Sequence, residues 1–473
     1  MIPKVMSCRC TSLPSGVRTL ASASVFGLLI LSSQSTYAAS DAALNYSATN
    51  YLYAPSSERE STFQSLHAKG KTSLSGPVLE GSAAGDLRLL LGSQVEPYLE
   101  VTELFLGTSA NLNSKVQVHA GRKLEDWSHL DEQWKLGLFQ PRFRWDYFHP
   151  ESSGLTGFFG KIRAPGFQLL GFASPIFVPE RGVPVAVNNG ELQSPTAWFI
   201  PPSSKIALFD QETRIRYDLD IPPVKEMILH PSIAVRLRVG QEQGAWASAA
   251  YGYKPVNQLL LGHDAYLNVA PPIEVPATIR PRIIYHHLSA IEAGYQLEQS
   301  GLSISTIYEK PVLEPVPYNW TAQTASPALV TGSSFYFQLG SPAQRTRFDL
   351  GYLRRLGGNA PDVGRDAASS SVFETRYPFA SAFRFGVNTP LRVILGKPGS
   401  NLSLSSRVIY DAIEDGALWM NELRFTPLQR WQVNFGADFL ATELLNHYRI
   451  TEESFISRYQ VNNRVYAGVG YVF

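Results

Sequence analysis

The last sixteen residues, 458–473, read RYQVNNRVYAGVGYVF. Counting back in twos from Phe473 gives Tyr471, Val469, Ala467 and Val465, an unbroken apolar row. The alternate positions Gly470, Gly468, Arg464 and Asn462 are small or polar, and Tyr466 breaks their run. Period two with one apolar face predicts a strand that is wet on one side only. In an open sheet such a terminal strand would be an exposed edge. Paired with the first strand of a closed barrel, it leaves no edge at all.

Composition points the same way. The chain has 473 residues, more than one ordinary globular core holds, and only 17% are charged. A formal charge of +1 gives no field that would attract nucleic acid. Lys4, Arg9 and Arg18 precede the short apolar run ASASVFGLLIL at 21–31, and Thr36 and Ala38 then offer small residues. This pattern predicts a signal peptide over 1–38, cleaved after Ala38. The apolar run is about half of the roughly 20 residues that a spanning helix needs. Both cysteines, Cys8 and Cys10, lie in this leader, so the remainder has no disulfide, no thiolate metal site and no cysteine nucleophile. Without the three leader cations, 38 Lys+Arg stand against 40 Asp+Glu.

Residues 39–61 read as an unstructured lead-in. From 62 onward the chain falls into segments of about ten residues. In 232–240, Ile233, Val235, Leu237 and Val239 oppose Arg236 and Arg238. In 345–352, Phe348, Leu350 and Tyr352 oppose Arg345, Arg347 and Asp349. In 430–440, Trp431, Val433, Phe435 and Phe439 oppose Gln432, Asn434 and Asp438. The polar face carries arginines, while the apolar face carries Trp, Tyr and Phe. That combination suits a water-filled lumen inside an aromatic-girdled exterior.

Eighteen strands are expected, with sixteen also possible. The first is placed at 62–79, the ninth at 257–267 and the last at 458–473. The predicted fold is therefore an all-β transmembrane antiparallel barrel over 62–473. With the C-terminus placed in the periplasm, two long segments, 125–153 and 178–230, come out on the side of the short turns. They are read as plugs of the lumen, with a hidden strand pair at 205–220 as the alternative for the second.

The terminal Phe473 with Tyr471, Val469, Ala467 and Val465 resembles the C-terminal pattern of Gram-negative outer-membrane β-barrel proteins, porin-like or exporter-like. The resemblance implies residence in the cell outer membrane, contact with its lipid, and recognition of this strand by the barrel-assembly machinery. It also raises a homotrimer as one assembly, and it names no transported solute.

The densest polar and aromatic stretch, 122–151, holds Arg122, Lys123, Arg142 and Arg144 among acids, with Trp127, Trp134 and Trp145 interleaved. Arginines and aromatics at a constriction can hold a sugar or an anion; ion pairs and packed rings in a folded loop explain them equally. Together with Arg236, Arg238, Arg345 and Arg347 on the lumen face, these are the candidate binding residues. His129, Asp131 and His149 lack the spacing of a known metal motif. Inward positions read from the alternation give twelve basic residues, among them Arg384, Arg407 and Arg464, against seven acids. That leans cationic, although Asp349 beside Arg347 and Glu422 beside Arg424 can cancel the field. His287 and Ser289 have the spacing of a barrel lipid hydrolase, but Ala290 stands where those enzymes carry Asn. The leading expectation is a non-enzymatic channel, without cofactor, for passive diffusion of small hydrophilic solutes with a weak anion preference. The alternatives are a polysaccharide or solute exporter, or a closed barrel serving as a lipid hydrolase or a partner platform.

Overall fold

The computed structural model describes residues 37–473, apart from 54–60, 93–96, 195, 209, 342–343, 359–361, 365–375, 397–398, 400 and 446–453. The signal peptide expected over 1–38 lies outside the described residues except for Tyr37 and Ala38, which already belong to a strand.

Eighteen antiparallel strands form one closed sheet. They are β1 (Tyr37–Tyr51), β2 (Thr62–Ser75), β3 (Leu79–Leu91), β4 (Tyr98–Thr108), β5 (Val116–Lys123) and β6 (Leu155–Ala164). Then come β7 (Phe167–Ser174), β8 (Ser232–Gly240), β9 (Gly244–Pro255), β10 (Tyr285–Gln296), β11 (Ser300–Pro311) and β12 (Ala328–Leu339). The last six are β13 (Thr346–Gly357), β14 (Ser381–Pro390), β15 (Leu402–Asp411), β16 (Gly416–Leu428), β17 (Trp431–Thr442) and β18 (Arg464–Val472). Each strand pairs with its neighbours in the chain, and β1 closes the ring against β18, with Ala48 opposite Ala467 and Tyr46 opposite Val469. Every strand thus has a partner on both sides, which satisfies the backbone where no water reaches it.

Alternation sets what faces where. Ile291, Ile304, Phe385, Trp431 and Phe435 point outward and stay exposed. Arg236, Glu292, Glu309, Arg384, Asp438 and Arg464 point inward and are buried. An apolar exterior around a polar interior inverts a soluble protein and fits a barrel in lipid. No helix among the described residues is long and apolar enough to cross a membrane, so the strands do the crossing.

The count of eighteen is right, but one of its members is wrong and one barrel strand is missed. The expected lead-in contains β1, which pairs with both β2 and β18. Its outward row, Ala42, Leu44, Tyr46 and Ala48, is diluted by alanine, and that weakens the periodic signal. The segment 257–267 does hold a strand, Leu260–Ala265, but it pairs with Glu274–Arg282 and Thr321–Gln323 outside the barrel wall. These two errors cancel in the total and shift the parity of every strand before 257.

With the parity corrected, the long links 124–154, 175–231, 256–284, 312–327, 358–380 and 443–463 all emerge at one end. The other end carries shorter connections, such as 165–166, 241–243, 297–299 and 429–430, the longest being 391–401 with its helical turn. The two long segments therefore do not sit on the short-turn side. By the asymmetry of such barrels they belong to the outer face. Four of the long links build a second, six-stranded sheet there, in the order 205–208, 211–219, 274–282, 260–265, 321–323, 362–364. The pair suspected at 205–220 is real, and it opens this outer sheet.

If closure through β1 holds the barrel together, a proline at Ala48 will break it. Ala48 lies between Gln64 and Ala467, and proline there removes a ladder donor in a lipid-bounded strand. A48P is expected to lose the heat-modifiable migration of a folded barrel on SDS gels, while A48S keeps it.

Candidate functional site

The segment between β5 and β6 does not stay at the rim; it folds into the lumen. A helical turn, His129–Trp134, starts at Ser128, whose hydroxyl accepts from the Asp131 backbone N–H. It ends at Lys135 in the left-handed conformation, φ 50°. Asp131 then accepts the N–H groups of Leu138 and Phe139 at 3.0 and 2.8 Å, folding the chain back on itself. Burial and the neighbouring Glu132 push the Asp131 carboxyl up to about 6, against the pull of those two hydrogen bonds.

One face of the insert is apolar and packs on one wall. Trp127, Leu130, Leu138 and Phe139 form a cluster with Leu170, Ala234, Leu288, Ile307 and Leu353 of β7, β8, β10, β11 and β13. The approach is close: a side chain at Gly332 of β12 would come within 2.4 Å of Leu130. Polar anchors fix the register. Glu292 of β10 accepts from the Ser128 hydroxyl at 2.7 Å, and Lys254 of β9 donates to the Leu138 carbonyl at 3.4 Å. Gln133 donates to Ser334 of β12 at 3.0 Å.

The far end of the insert reaches the opposite wall. Arg464 of β18 bridges Asp146 of the insert at 2.6 Å and Asp438 of β17 at 2.7 Å. The His149 ring sits 3.1 Å from the same Asp438. Glu151 meets Lys69 of β2 at 2.5 Å and Arg88 of β3 at 3.2 Å. The segment thus crosses the lumen from β9–β13 to β17, β18 and β1–β3. Enclosure lowers the affinity of the His149 ring for a proton, but the hydrogen bond to Asp438 and the charges of Asp146 and Asp438 outweigh it. His149 therefore titrates above the ordinary histidine value.

Beside the insert the lumen stays open. Three adjoining cavities of 310, 230 and 480 Å³ share His149 on their walls. The first lies toward the long-link end, with Arg384 and Arg407 on its wall. The second continues past Arg407 to Glu422, Arg424 and Tyr466. The third spreads along β1–β3 and β16–β18. The Tyr466 ring lies over Gly436, where a side chain would come within 2.0 Å of Cζ, so glycine there lets the ring fold flat.

The candidate residues named from the sequence divide by role. Arg142 and Arg144 both pair with buried Glu180 of the next long link, at 2.7 Å for Arg142, and lock two links together. The two guanidinium charges outweigh burial and hold the Glu180 carboxyl below its ordinary value. Arg122 pairs with Glu100 at 2.7 Å and donates to the Gly154 carbonyl. Lys123 pairs with Glu125 at 2.5 Å. Trp127 is buried against Phe139. These five hold structure.

Arg236 and Arg238 line a separate 210 Å³ cavity with Trp246 and Glu292. Arg347 is paired with Asp349 at 2.9 Å, and Arg345 donates to Gln338. Trp134, with Arg384 over its ring at 5.1 Å, and Trp145 line the open path, and the paired Arg142 and Arg144 share the wall with Trp134. Arg407, which is exposed, and Arg384, which is buried over Trp134, both line the first cavity. Among the described residues neither has a carboxylate at ion-pair distance, although Arg384 donates to the Gln133 carbonyl. Their inward alternation marked them in the sequence, but nothing there showed that they would have no carboxylate at ion-pair distance.

His129 bonds Gln133, Asp131 caps a turn and His149 faces Asp438, so the three do not converge. No group of three His, Cys, Asp or Glu that could hold a metal occurs among the described residues. His287 and Ser289 alternate with the buried, inward His286, Leu288 and Ala290, so they lie on the outer face. The His287 Nδ1 atom is engaged by the Tyr251 hydroxyl at 2.8 Å.

An even number of antiparallel strands, closed, apolar outside and wet within, is the architecture of the bacterial outer membrane. The chain is an outer-membrane β-barrel. No family model matches it, and no curated protein sequence does. Solved structures similar in overall shape include OccAB4 of Acinetobacter baumannii, with 10% identity and a TM-score of 0.48, covering 92% of this chain and 98% of that one. OpdQ of Pseudomonas aeruginosa gives 11% and 0.46, covering 93% and 98%. OccK2 (OpdF) of the same organism gives 9% and 0.48, covering 92% and 97%.

Two predictions follow from these anchors. The stabilising charge of His149 is fully present below the ordinary histidine value and is lost as pH rises through the raised one. The urea midpoint should therefore fall on going from pH 6 to pH 9, and fall less in H149Q. In E180Q, two buried guanidinium groups lose their carboxylate, at a cost of about 3 kcal/mol or more. Limited proteolysis should then cut the 124–154 and 175–231 links faster than in the wild type.

Proposed function

We propose that the protein is a passive channel through which small hydrophilic solutes cross the outer membrane, with a weak preference for anions. The observation that carries this reading is the run of cavities left between the insert and the β14–β18 and β1–β3 walls. Solutes would diffuse along it, and the insert would set its width. The preference would come from Arg384 and Arg407 on the wall of the first cavity, neither of which has a carboxylate at ion-pair distance among the described residues. A cationic lining raises the local concentration of anions and lowers that of cations. Elsewhere the lumen charges are paired, as in Arg347–Asp349 and Arg424–Glu422, so the preference is modest.

The hydrolase alternative gains no support, because the His287 ring is held by a tyrosine hydroxyl rather than aimed at Ser289. The exposed Phe473 side chain suits recognition of the last strand by the assembly machinery.

Purified protein in a planar bilayer under a salt gradient tests the reading. The zero-current potential is expected on the anion-selective side, and R384A/R407A should move it toward the cation side. Removing residues 125–153 should raise single-channel conductance several-fold. A barrel that conducts neither intact nor without this segment would falsify the channel reading.

A further inference from the structure

The largest of the three adjoining cavities differs in chemistry from the arginine-lined one above it. Its volume is 480 Å³, within the size range of small-ligand sites. Three arginines and three carboxylates line it. Arg88 faces Glu151 at 3.2 Å, Arg424 faces Glu422 at 2.8 Å, and Arg464 faces Asp146 at 2.6 Å. Every lining arginine is thus matched by a lining carboxylate. Pairing leaves little net charge to draw either an anion or a cation. A hydroxyl group both donates and accepts, so it can settle beside either member without breaking the pair.

The rest of the wall repeats that preference. β1 contributes Asn45, Ser47 and Thr49, and β17 contributes Gln432 and Asn434, all uncharged donors and acceptors. The Oδ1 atom of Asn434 is buried and accepts no hydrogen bond. Such an orphaned acceptor calls for a donor that the protein does not supply. Aromatic rings complete the lining: Trp145, half-buried and tilted against Tyr98, and Tyr466 over Gly436. An indole or phenol face accepts the C–H face of a saturated ring while its edges stay polar.

We propose that this cavity is a binding site for an uncharged polyhydroxylated solute of monosaccharide size. Its hydroxyl groups lie between the charge pairs, one of them donates to Asn434 Oδ1, and its ring face packs on Trp145 or Tyr466. The proposal rests on the channel reading for the route by which such a solute arrives and leaves, but not for its binding. The protein would then combine two selectivities along one path. Anions are favoured where Arg384 and Arg407 are free of carboxylates, and neutral polyols where every charge is already paired.

The test is equilibrium binding of D-glucose to the full-length barrel in detergent, followed by tryptophan fluorescence. A saturable change is expected. In N434L, which replaces the orphaned acceptor by an apolar group of similar size, affinity should fall about fivefold. Heat-modifiable migration on SDS gels shows whether the variant is a folded barrel. If it is not, Q432L is read in its place. A flat titration of the wild type overturns the site, and so does an unchanged affinity in the folded variant. Bilayer conductance on the same preparation separates the two readings. A conducting barrel that ignores glucose loses only the site, whereas a silent barrel that binds it loses only the channel.

Discussion

Every other feature depends on the closure of the backbone hydrogen-bond ring between β1 and β18. In lipid an unpaired N–H or C=O has no water to turn to, so an open edge is not tolerated. Closing the ring fixes the strand number as even, and with it the side on which each link emerges. It also makes an enclosed space that the chain must fill or leave wet. The 124–154 insert is the chain's answer to that space.

The interior is divided rather than uniform. From β7 to β13 the inward positions toward the long-link end include Leu170, Ala234, Leu288, Ile307 and Leu353 beside the polar Lys254, His286 and Glu309, and the insert lays Trp127 and Phe139 on the apolar ones. From β17 through β3 the inward positions include Asn434, Ser47 and His67, and there Phe143 and Phe148 of the insert meet the guanidinium groups of Arg88 and Arg464. The hydrophobic effect therefore holds most of the insert against β7–β13, with Phe148 reaching the apolar positions of β15–β17, and ion pairs at Asp146 and Glu151 tether its far end. The lumen survives where packing is unfavourable. The same division separates structural arginines from available ones. Arg142 and Arg144 are held by Glu180, while Arg384 and Arg407 have no carboxylate at ion-pair distance among the described residues.

How much of this was legible depended on the range of the interaction. Inward rows such as Arg236–Arg238 and Gln432–Asn434–Asp438 could be read directly, because alternation is a property of neighbouring residues. The density of charge and tryptophan in 122–151 was visible too, and the segment does cross the lumen. Its arginines were harder to interpret. Glu180 lies 38 residues beyond Arg142, in a different link, and no local pattern joins them. The unpaired state of Arg384 and Arg407 was equally hidden, since it depends on what neighbouring strands happen not to supply.

The sequence by itself determined the class of fold: period-two alternation, an apolar exterior and a terminal strand that needs a partner leave a closed barrel as the consistent outcome. It also determined which face of most strands is wet, because side-chain direction follows from the pleat alone. Only the tertiary structure decided which segments are the eighteen. Residues 37–51 and 260–265 both form strands, and strand propensity does not distinguish them. What separates them is the partner each one finds, β2 and β18 for the first and two loop strands for the second. Pairing is a non-local contact whose register is set by the whole ring, so no window of sequence contains it.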